Sequence, residues 1–559
     1  MLSDFKSQLH LCLEKSLKEA FPNLADTLPA LEIEAPADHQ HGEFATNIAL
    51  KSSKILRKSP MDIAGEFLPV FQKVIEGKNL KGKIEKVEVK KPGFINFYLA
   101  PKLVYTILEQ ILREEKNYGR MDFGAREKIQ IEFVSANPTG PLSVAHARQA
   151  AVGDALANIL NHIGFDAARE YYINDGGNQI NILGTSIKCR AAEILGGTIE
   201  FPENGYQGAY IKDMAKIFLD QQGLKDLPAL EKTDPAKFTR FGVDYLLDVI
   251  RKDLSDFGVH FQAWSHESEI ATKKNIEKVL AELEKKNFLY EKDGAIWFRS
   301  TDFGDDKDRV VKKSDGSYTY LAPDIVYHKN KFERGFARLI NIWGPDHHGY
   351  IPRLTAAVEA LGQSREALKV LIVQLATIYR DGQPVSMSTR RGQFISLREV
   401  IDEVGVDAAR FFFLMRHINV HLDFDLELAK KETSENPVFY IQYAHARIHS
   451  IYVKAAETKI KRKKKDFQLL KEPEEMDLIK QLGSFSDILM ICYHESDPYA
   501  LMNYLMELAT SFHKFYDCCR VIDPQNPELS CERLALANAA QIVLANGLSL
   551  LGLSTPEKM

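Results

Sequence analysis

The sequence predicts a multidomain protein. We expect an α+β N-terminal domain, a Rossmann-like α/β domain with a parallel sheet and an insertion, and an all-α C-terminal helical bundle. The chain has 559 residues, well beyond the roughly 250–300 residues at which a single hydrophobic core stops growing. Apolar strands alternate with helical periods in its middle part, as in βαβ units. After residue 405 only helical periods are predicted.

The N-terminal domain is predicted over residues 1–110. In the stretch KVEVKKPGFINFYLA, apolar residues alternate on both sides of Pro92-Gly93. Alternation around such a turn dipeptide is typical of two antiparallel strands. Amphipathic helical stretches come before this hairpin, so the domain should be α+β. The charged, glycine-bearing segment after it is typical of a linker.

The parallel-sheet domain is predicted over residues 118–404. KIQIEFVSA, from Lys128, should form a strand, followed by a helix from Pro141 to about Gly164 and a second strand at REYYIND. ARLINIWG and LKVLIVQLATI are predicted as further strands with a helix between them. Residues from about 180 to 310, mostly helical and ending in hairpins, are predicted to form an insertion.

A helical connection is predicted over residues 405–436, and an all-α domain over residues 437–559. The latter contains long helical patterns such as NPVFYIQYAHARIHSIYVKAAE. Residues 437–465 also hold eight basic residues against one acid, Glu457. The formal net charge is −5. A local basic stripe can nevertheless bind a structured nucleic acid while the remaining surface repels other polyanions.

The composition excludes several classes of protein. No run of about 18 apolar residues occurs, so no membrane span is expected. The N-terminus lacks the uninterrupted apolar core of a signal peptide. Six cysteines without CxxC pairs favour a reducing compartment over a disulfide framework. A cytoplasmic protein is therefore expected.

The stretch PTGPLSVAHARQA is the first candidate for a site. It follows the first predicted strand of the sheet, at an edge where open parallel sheets bind ligands. Pro141 suits a first helical turn, and a helix N-terminus offers free N–H groups to a phosphate. His146, one turn from Ser143, would donate a hydrogen bond to charge developing there. The alternative is that His146 simply faces solvent. No GxxxxGK[ST] loop occurs, and no GxGxxG follows this strand.

Two further segments follow predicted strands. VSMSTRRGQF combines small hydroxylated residues with Arg390 and Arg391, and a mobile loop of this kind could close on a polyphosphate. The alternative is a solvated loop with two surface arginines. In WGPDHHGYIP, Asp346 would accept hydrogen bonds from ribose hydroxyls. A metal site at His347-His348 is disfavoured, because adjacent histidines point apart and no third ligand follows at helical spacing.

Together these segments resemble a known family. IEFVSANPTGPLSVAHAR resembles the first signature of class I aminoacyl-tRNA synthetases in its arginyl form, and MSTRRG stands where the second signature loop belongs. KSDGSYTYLAPDIVYHKNKFERG, WGPDHHGYIPR and ENPVFYIQYAHARI also resemble arginyl segments, in the expected order. With GEFATNIAL and KPGFINFYL, the resemblance covers nearly the whole chain. It implies a ligase that attaches L-arginine to its cognate tRNA.

The resemblance implies two chemical steps. The arginine carboxylate attacks the α-phosphorus of ATP to give arginyl-adenylate and pyrophosphate, and the arginyl group then passes to the 2′-hydroxyl of the terminal tRNA ribose. The implied substrates are ATP with Mg²⁺, L-arginine and tRNA(Arg), and activation requires tRNA. A monomer without a structural metal is implied. Neither step needs a covalent enzyme intermediate, so positioning and electrostatic stabilisation should dominate.

The resemblance also assigns candidate residues to each part of the site. The candidates for catalysis are His146, Ser143 and Arg390. Those for binding ATP are Pro138, Gly140, His146, Gly344, Asp346, His348, Met387 and Ser388. Those for binding arginine are Glu132, Ser135, Asn137, Tyr320 and Asp324, of which the last two would reach the guanidinium. The all-α domain is similar to the family's anticodon-binding domain, where tRNA would contact Tyr440, Tyr443, His445 and Arg447. The first domain would hold the outer corner of the tRNA.

Some of these assignments have structural alternatives. Asp324 could instead be the N-cap of the helix PDIVYHKNKF. Tyr440 and Tyr443 lie three residues apart, so one of them could be a core residue. The KRKKK run could contact phosphates or form a solvated helix end.

The chain departs from the class pattern in both signatures. Ser143 stands in place of the first signature histidine and Ala145 in place of its glycine. Ser386 and Thr389 stand in place of the two lysines of the second loop. One of the adjacent arginines would then supply the positive charge there. Two rival functions stay open: a synthetase for a different amino acid, and a catalytically inactive paralogue that binds tRNA.

Overall fold

The computed structural model describes residues 2–22, 29–34, 36, 41–76, 80, 82–385, 394–457 and 466–559. Across these residues the predicted fold class is confirmed: a mixed α+β region, then a parallel sheet with helices, then a bundle of helices. One apolar core continues through all three regions, from Phe5 through Phe133 to Phe512. Within the described ranges, no helix is both long and apolar enough to cross a membrane.

The N-terminal region packs helices against a small antiparallel sheet. Its elements are α1 (Leu2–Ala20), β1 (Phe44–Thr46), α2 (Ile48–Leu56), α3 (Pro60–Glu76), β2 (Ile84–Lys90) and β3 (Phe94–Leu99). The strand order is β1-β3-β2. Phe97 of β3 lies opposite Phe44 on one side and Val87 on the other. The predicted hairpin is confirmed, since β2 and β3 are antiparallel neighbours.

The central region contains most of the strands. In chain order its elements are α4 (Pro101–Glu114), β4 (Lys128–Glu132), α5 (Val144–His162), β5 (Asp166–Ile173), α6 (Asn178–Ile194), α7 (Ala209–Gln222), α8 (Leu227–Glu231), α9 (Pro235–Asp256), β6 (Ala263–His266), α10 (Glu267–Ile270), α11 (Lys273–Lys285), β7 (Leu289–Lys292), β8 (Ala295–Phe298), β9 (Arg309–Lys312), α12 (Leu321–Glu333), β10 (Arg338–Trp343), α13 (Ile351–Ala360), β11 (Leu368–Ile372), β12 (Ala376–Arg380), β13 (Gln383–Pro384), α14 (Leu397–Val404), α15 (Val406–Leu414), β14 (Leu422–Asp425) and α16 (Leu426–Ala429).

The main sheet has five parallel strands in the order β11-β10-β4-β5-β6. The chain runs outward from β4 to β6 on one side and returns through β10 and β11 on the other, so the strand order reverses between β4 and β10. Open α/β sheets bind ligands at such a reversal. Helix α5 lies close to the sheet because Gly153 has no side chain: a Cβ there would be 2.3 Å from Cγ of Phe133.

Helices alone make up the described part of the C-terminal region. They are α17 (Pro437–Glu457), α18 (Pro473–Gly483), α19 (Phe485–Glu495), α20 (Tyr499–Cys518) and α21 (Pro527–Leu550). Most of the predicted basic stripe, including the KRKKK run at 461–465, lies outside the described residues.

The predicted insertion is interrupted by a strand of the main sheet. Within residues 180–310, β6 pairs in parallel with β5 and forms one edge of that sheet. The predicted insertion is therefore two separate inserted segments. The first contains helices α6 to α9, and the second contains the antiparallel sheet β7-β8-β9. Strand β6 has the sequence AWSH and is only partly buried along its length. It therefore lacks the apolar run that marks a buried strand.

Two further predictions about strands are wrong. LKVLIVQLATI forms two strands, because β11 belongs to the main sheet whereas β12 pairs with β13 and β14. The connection predicted as helical contains β14, which runs parallel to β12. In β14, buried Leu422 and Phe424 alternate with exposed Asp423 and Asp425, a period-two signal too short to stand out in the sequence.

Helix α5 begins at Val144, three residues later than predicted. Residues before it are extended: Ser143 forms an antiparallel bridge with Ser396, and Leu397 N–H donates to the Leu142 carbonyl over 2.8 Å. Ser143 is consequently the N-cap, and Pro141 does not occupy the first helical turn.

Candidate active site

A cavity of about 990 Å³ opens at the carboxyl end of the main sheet. Every strand of that sheet contributes a lining residue at or just after its end: Glu132, Asn174, Glu267, Trp343 and Val373. The cavity thus lies where the strand order predicts a ligand site. Its volume is at the upper end of the range for small-molecule sites.

The structure brings most of the predicted site residues together. The cavity lining includes Glu132, Ser135, Asn137, Gly140, Ser143, His146, Tyr320, Asp324, Gly344 and Asp346. Pro138, which is buried in the loop, and His348 do not line it, whereas His347, next to His348, does. The predicted residues Met387, Ser388 and Arg390 lie outside the described part of the chain, as does Arg391.

The backbone makes a strained turn directly after β4. Val134 and Ser135 have φ values of 69° and 39°, in a region that β-branched residues rarely adopt. Phe133 is fully buried with its ring 4.5 Å from that of Phe261, and Ser135 Oγ accepts the Tyr172 N–H over 3.1 Å. These contacts hold the turn in place. Strain of this kind concentrates at functional sites, and here it directs the following loop across the cavity.

His146 presents a neutral ring to the cavity. Its Nδ1 accepts the backbone N–H of Ser143 over 3.1 Å, so the neutral tautomer carries its hydrogen on Nε2. Burial lowers the pKa of His146 to about 4, although Asp346 opposes this shift. The ring is therefore an uncharged donor near pH 7. Ser143 Oγ lies 3.2 Å from the same Nδ1.

Asp324 lines the same cavity from inside α12. The N-cap of α12 is Tyr320, so Asp324 does not have the capping role that was the alternative. Its carboxylate accepts a hydrogen bond from the Tyr350 hydroxyl. Burial raises the pKa of Asp324 to about 7, the Tyr350 bond opposes the rise, and the Glu132 and Glu267 carboxylates add to it.

Glu267 is a cavity residue that the sequence analysis missed. It is the first residue of α10, and its carboxylate accepts a hydrogen bond from the Tyr172 hydroxyl over 3.0 Å. Burial raises the pKa of Glu267, against the effect of the Tyr172 bond. The stretch SHESE looks like an exposed polar loop. The signal that could have found Glu267 is its position immediately after β6.

The part of the cavity around Asp324, which we call its acidic end, has an excess of acidic groups. Glu132, Asp324 and Glu267 line it, whereas Lys331 is fully buried and donates to Glu132 over 2.5 Å. Three carboxyl groups thus face one internal ammonium. Burying carboxylates without partners is costly, so the cavity favours a ligand that brings a positive charge. A planar guanidinium can bond two acceptors at once.

Helices α6 and α7 cover the loop before α5. Asn137 donates to Gln179 over 2.8 Å, and the Tyr210 hydroxyl donates to the Thr139 carbonyl over 2.8 Å. A Cβ on Gly140 would lie 3.1 Å from that hydroxyl oxygen, so glycine permits the close approach. Tyr320 stands at the mouth of the cavity with 78% of its surface exposed. Asn137 and Tyr320, both exposed, therefore lie at the rim of the cavity.

The turn after β10 forms the remaining wall. A Cβ on Gly344 would be 2.7 Å from Oδ1 of Asp346, so a larger residue here would displace that exposed carboxylate. Asp346 is exposed, and its carboxylate lies 3.3 Å from Nε2 of His347. Within the described ranges, no group of three histidine, cysteine or acidic side chains is arranged to hold a metal.

A second candidate surface joins α17 and α20 in the C-terminal region. The Tyr443 ring is 39% exposed and lies 5.9 Å from the His513 ring. The Arg447 guanidinium lies 5.4 Å from the Tyr443 ring centre and 4.3 Å from that of Tyr516. We call Tyr443, Arg447, His513 and Tyr516 the aromatic surface. It combines stackable rings with a positive charge.

The other two residues predicted to contact tRNA lie differently. Tyr440 is half-buried against the core, with its ring 4.8 Å from His513. His445 is buried, and its Nδ1 is 2.9 Å from the Pro556 carbonyl. Two residues after Tyr443 on a helix, His445 faces a different side. It is not on the surface where an RNA could contact it.

The sequence matches three family models in succession. They are described as the arginyl tRNA synthetase N terminal domain over residues 7–99, the catalytic domain of class I (R) tRNA synthetases over 107–434, and the DALR anticodon binding domain over 441–559. The chain belongs to the arginyl-tRNA synthetase family. The order of the three matches follows the order of the three regions of the structure.

Relatives cover nearly the full length of the chain. An arginine–tRNA ligase of Geobacter sp. (strain M21) is 46% identical over 559 residues, which span 99% of this chain and 100% of the relative. One from Listeria monocytogenes serotype 4b is 47% identical over 533 residues, or 95% of each chain. The Thermus thermophilus arginyl-tRNA synthetase structure has the same fold, with a TM-score of 0.74 at 23% identity over 98% of this chain and 100% of that one.

These matches confirm the predicted family and the predicted class of enzyme, an arginine–tRNA ligase. None of them favours the inactive tRNA-binding paralogue or a synthetase for another amino acid.

Proposed function

We propose that the cavity binds L-arginine and ATP side by side, forms arginyl-adenylate and transfers the arginyl group to the terminal ribose of tRNA(Arg). One observation carries this proposal: the same cavity has a group of acidic side chains around Asp324 and, on α5, a neutral histidine at a helix N-terminus. The acidic end suits a guanidinium, and the helix N-terminus suits phosphate oxygens.

At the acidic end, Asp324 and Glu267 bind the arginine guanidinium. It is the positively charged partner that these two carboxylates do not have among the described residues of the free protein. Glu132 and the turn at Ser135 then lie toward the backbone of the amino acid. Lysine cannot satisfy two planar acceptors in the same way, because its ammonium is a compact point charge. Rejection of lysine follows from the buried acceptors it leaves unpaired.

At the nucleotide end, Nε2–H of His146 donates to an oxygen of the α-phosphate as charge develops there. The first N–H groups of α5 add the positive end of the helix dipole. The arginine carboxylate oxygen bonds to phosphorus while the bond to pyrophosphate breaks. Mg²⁺ enters with ATP, held mainly by phosphate oxygens. Asp346 and the turn at Gly344 hold the ribose.

The C-terminal aromatic surface binds the anticodon loop by stacking. Unpaired RNA bases commonly stack on aromatic rings and on arginine planes, and Tyr443 with Arg447 offers both. The N-terminal region holds the outer corner of the tRNA, as the resemblance implies. We also propose that the enzyme acts as a monomer and in the cytoplasm.

The first prediction from this proposal concerns Ser143. Ser143→Ala should lower kcat for adenylate formation by less than ~10-fold, because His146 is held by the backbone N–H of Ser143, which alanine retains. Loss of the cap oxygen should cost about 1 kcal/mol of stability, which thermal unfolding would measure. Pyrophosphate exchange with tRNA present gives kcat. A fall as large as that of His146→Ala would show that the hydroxyl itself acts in catalysis.

The second prediction concerns pH. The Asp324 carboxyl has a pKa of about 7 in the free protein, so it is ionised above pH 7 and protonated below. Only the ionised form bonds the guanidinium as a charged partner, so arginine binding should release a proton. We expect kcat/KM for arginine to fall about tenfold per pH unit below pH 7. Asp324→Asn should abolish this dependence. A flat profile in the wild type would contradict the assignment.

The third prediction tests the aromatic surface. Tyr443→Ala should raise the KM for tRNA by roughly 5- to 150-fold, because stacking of a base is worth about 1–3 kcal/mol. The KM for arginine should not change. Val453→Ala, at an exposed position on the same helix, is the matched control. Equal effects of the two substitutions on tRNA would rule out stacking at Tyr443.

A further inference from the structure

Arg148 is a cation buried directly behind the nucleotide end of the cavity. It lies on α5, two residues after His146, and its side chain is fully buried. Among the described residues, the guanidinium donates to four backbone carbonyls: those of Gln374 at 2.8 Å, Val420 at 2.9 Å, His417 at 3.0 Å and Arg416 at 3.4 Å. Carbonyl dipoles offset part of its charge, but a buried ion of this kind requires an opposite charge nearby.

The countercharge comes from the C-terminal region. Asp497 lies between α19 and α20 and is buried, and its charge acts on Arg148. Its Oδ2 accepts the Ile418 N–H over 3.0 Å and lies 3.1 Å from Nδ1 of His417. Its Oδ1 accepts the Tyr499 N–H over 3.0 Å, at the start of α20.

A single peptide group bridges the two charges. The carbonyl of His417 accepts from Arg148, and the N–H of the next residue, Ile418, donates to Asp497. These two groups belong to the same planar peptide unit and point in opposite directions. The dipole of that peptide therefore lies along the line from Arg148 to Asp497, where it stabilises both ions.

The same bridge reaches the cavity wall. Gln374 and Leu375 line the cavity, and the Gln374 carbonyl bonds Arg148 while its N–H donates to the Ile418 carbonyl over 2.8 Å. Arg148 thus fixes both the turn of α5 that carries His146 and the facing wall.

We propose that Asp497 is a positioning residue for the active site: it holds the 417–418 peptide against Arg148 and so sets the position of His146. Helix α20, which begins beside Asp497, also carries His513 and Tyr516 of the aromatic surface. The bridge therefore joins the proposed RNA-binding helix to the catalytic helix. The inference rests on the assignment of His146 to the nucleotide end.

Asp497→Asn keeps an acceptor oxygen but removes the charge. We expect kcat for tRNA-dependent pyrophosphate exchange to fall about tenfold, with the KM values for arginine and tRNA unchanged. Arg148→Lys should do the same, and the double variant should be no worse than either single one, because both break one unit. Additive losses, an unchanged kcat or a change in the tRNA KM alone would overturn the proposal.

A readout independent of activity separates this proposal from the proposed function. The ring resonances of His146 in ¹⁵N-histidine-labelled protein, assigned with His146→Ala, should shift in Asp497→Asn. Glu43→Gln is the matched control. It removes the carboxylate of another pair between regions, Lys480–Glu43 at 2.6 Å, and should leave both kcat and these resonances unchanged. If Asp497→Asn does not fold, Asp497→Glu, which displaces the carboxylate, is judged by the same two measurements. Unmoved resonances would overturn the proposal even if activity changed.

Discussion

Asp324→Ala is expected to raise the KM for arginine by a factor between about 30 and several thousand, while the KM for ATP stays nearly unchanged. Removing one partner of a buried, hydrogen-bonded charge pair costs about 2–5 kcal/mol, and the Asp324 carboxyl, which lines the cavity, bonds the Tyr350 hydroxyl. Steady-state pyrophosphate exchange at varied arginine, in the presence of tRNA, measures this effect.

The control for this substitution is Glu333→Ala. Glu333 lies on the same helix, α12, but at its exposed end. Loss of its charge should therefore leave the KM for arginine unchanged. An Asp324→Ala enzyme with the wild-type KM for arginine would place the guanidinium elsewhere. Glu267→Gln would then be the next variant to measure, since Glu267 is the other carboxylate with a pKa raised by burial at this end.

His146→Ala should lower kcat on the order of 10²-fold with little change in either substrate's KM. Removing one preorganised donor to a developing oxyanion has an effect of this size, and Nε2–H is such a donor. His260→Ala, at an exposed position of the same region, provides the control.

The pH profile gives a second test of His146. Its pKa of about 4 lies below the usual histidine value, so the ring stays neutral through the physiological range. Between pH 5.5 and 8, His146 should contribute no titration step to kcat. The pH profiles of the wild type and of His146→Ala should therefore have the same shape. A kcat that falls as His146 loses a proton near pH 6.5 would mean that the charged ring is the active form.

The sequence predicted the parts of the fold that have strong periodic signals. The βαβ unit from Lys128, the hairpin around Pro92-Gly93 and the long C-terminal helices all carry patterns over many residues. β6 and β14, at four residues each, are too short for such a signal. Their place in the sheets depends on pairing with distant strands, which no local pattern records.

The candidate site was predictable where motifs mark it and not elsewhere. Glu132 ends β4, and His146 and Asp324 lie in the first turns of α5 and α12, so all three line one cavity at the carboxyl edge of the sheet. Glu267 could not be found without β6. The sequence also gave no sign that Arg148 is fully buried, because its four carbonyl partners come from residues 374–420 and are brought together only by the fold.

Ser143 illustrates how the structure changes the meaning of a departure from the family pattern. In the sequence, its replacement of a signature histidine weakens the expected site. In the structure, Ser143 is the N-cap of α5 and its N–H orients His146. The remaining histidine therefore has its ring position and tautomer fixed without the missing one.

The most direct test of the central claim is ATP–pyrophosphate exchange by the wild-type enzyme, with tRNA present, for each of the twenty amino acids in turn. We predict exchange with arginine and only background with the others, lysine included. Exchange supported by another amino acid, or none with arginine at saturating ATP and tRNA, would contradict the assignment of the cavity to arginine activation.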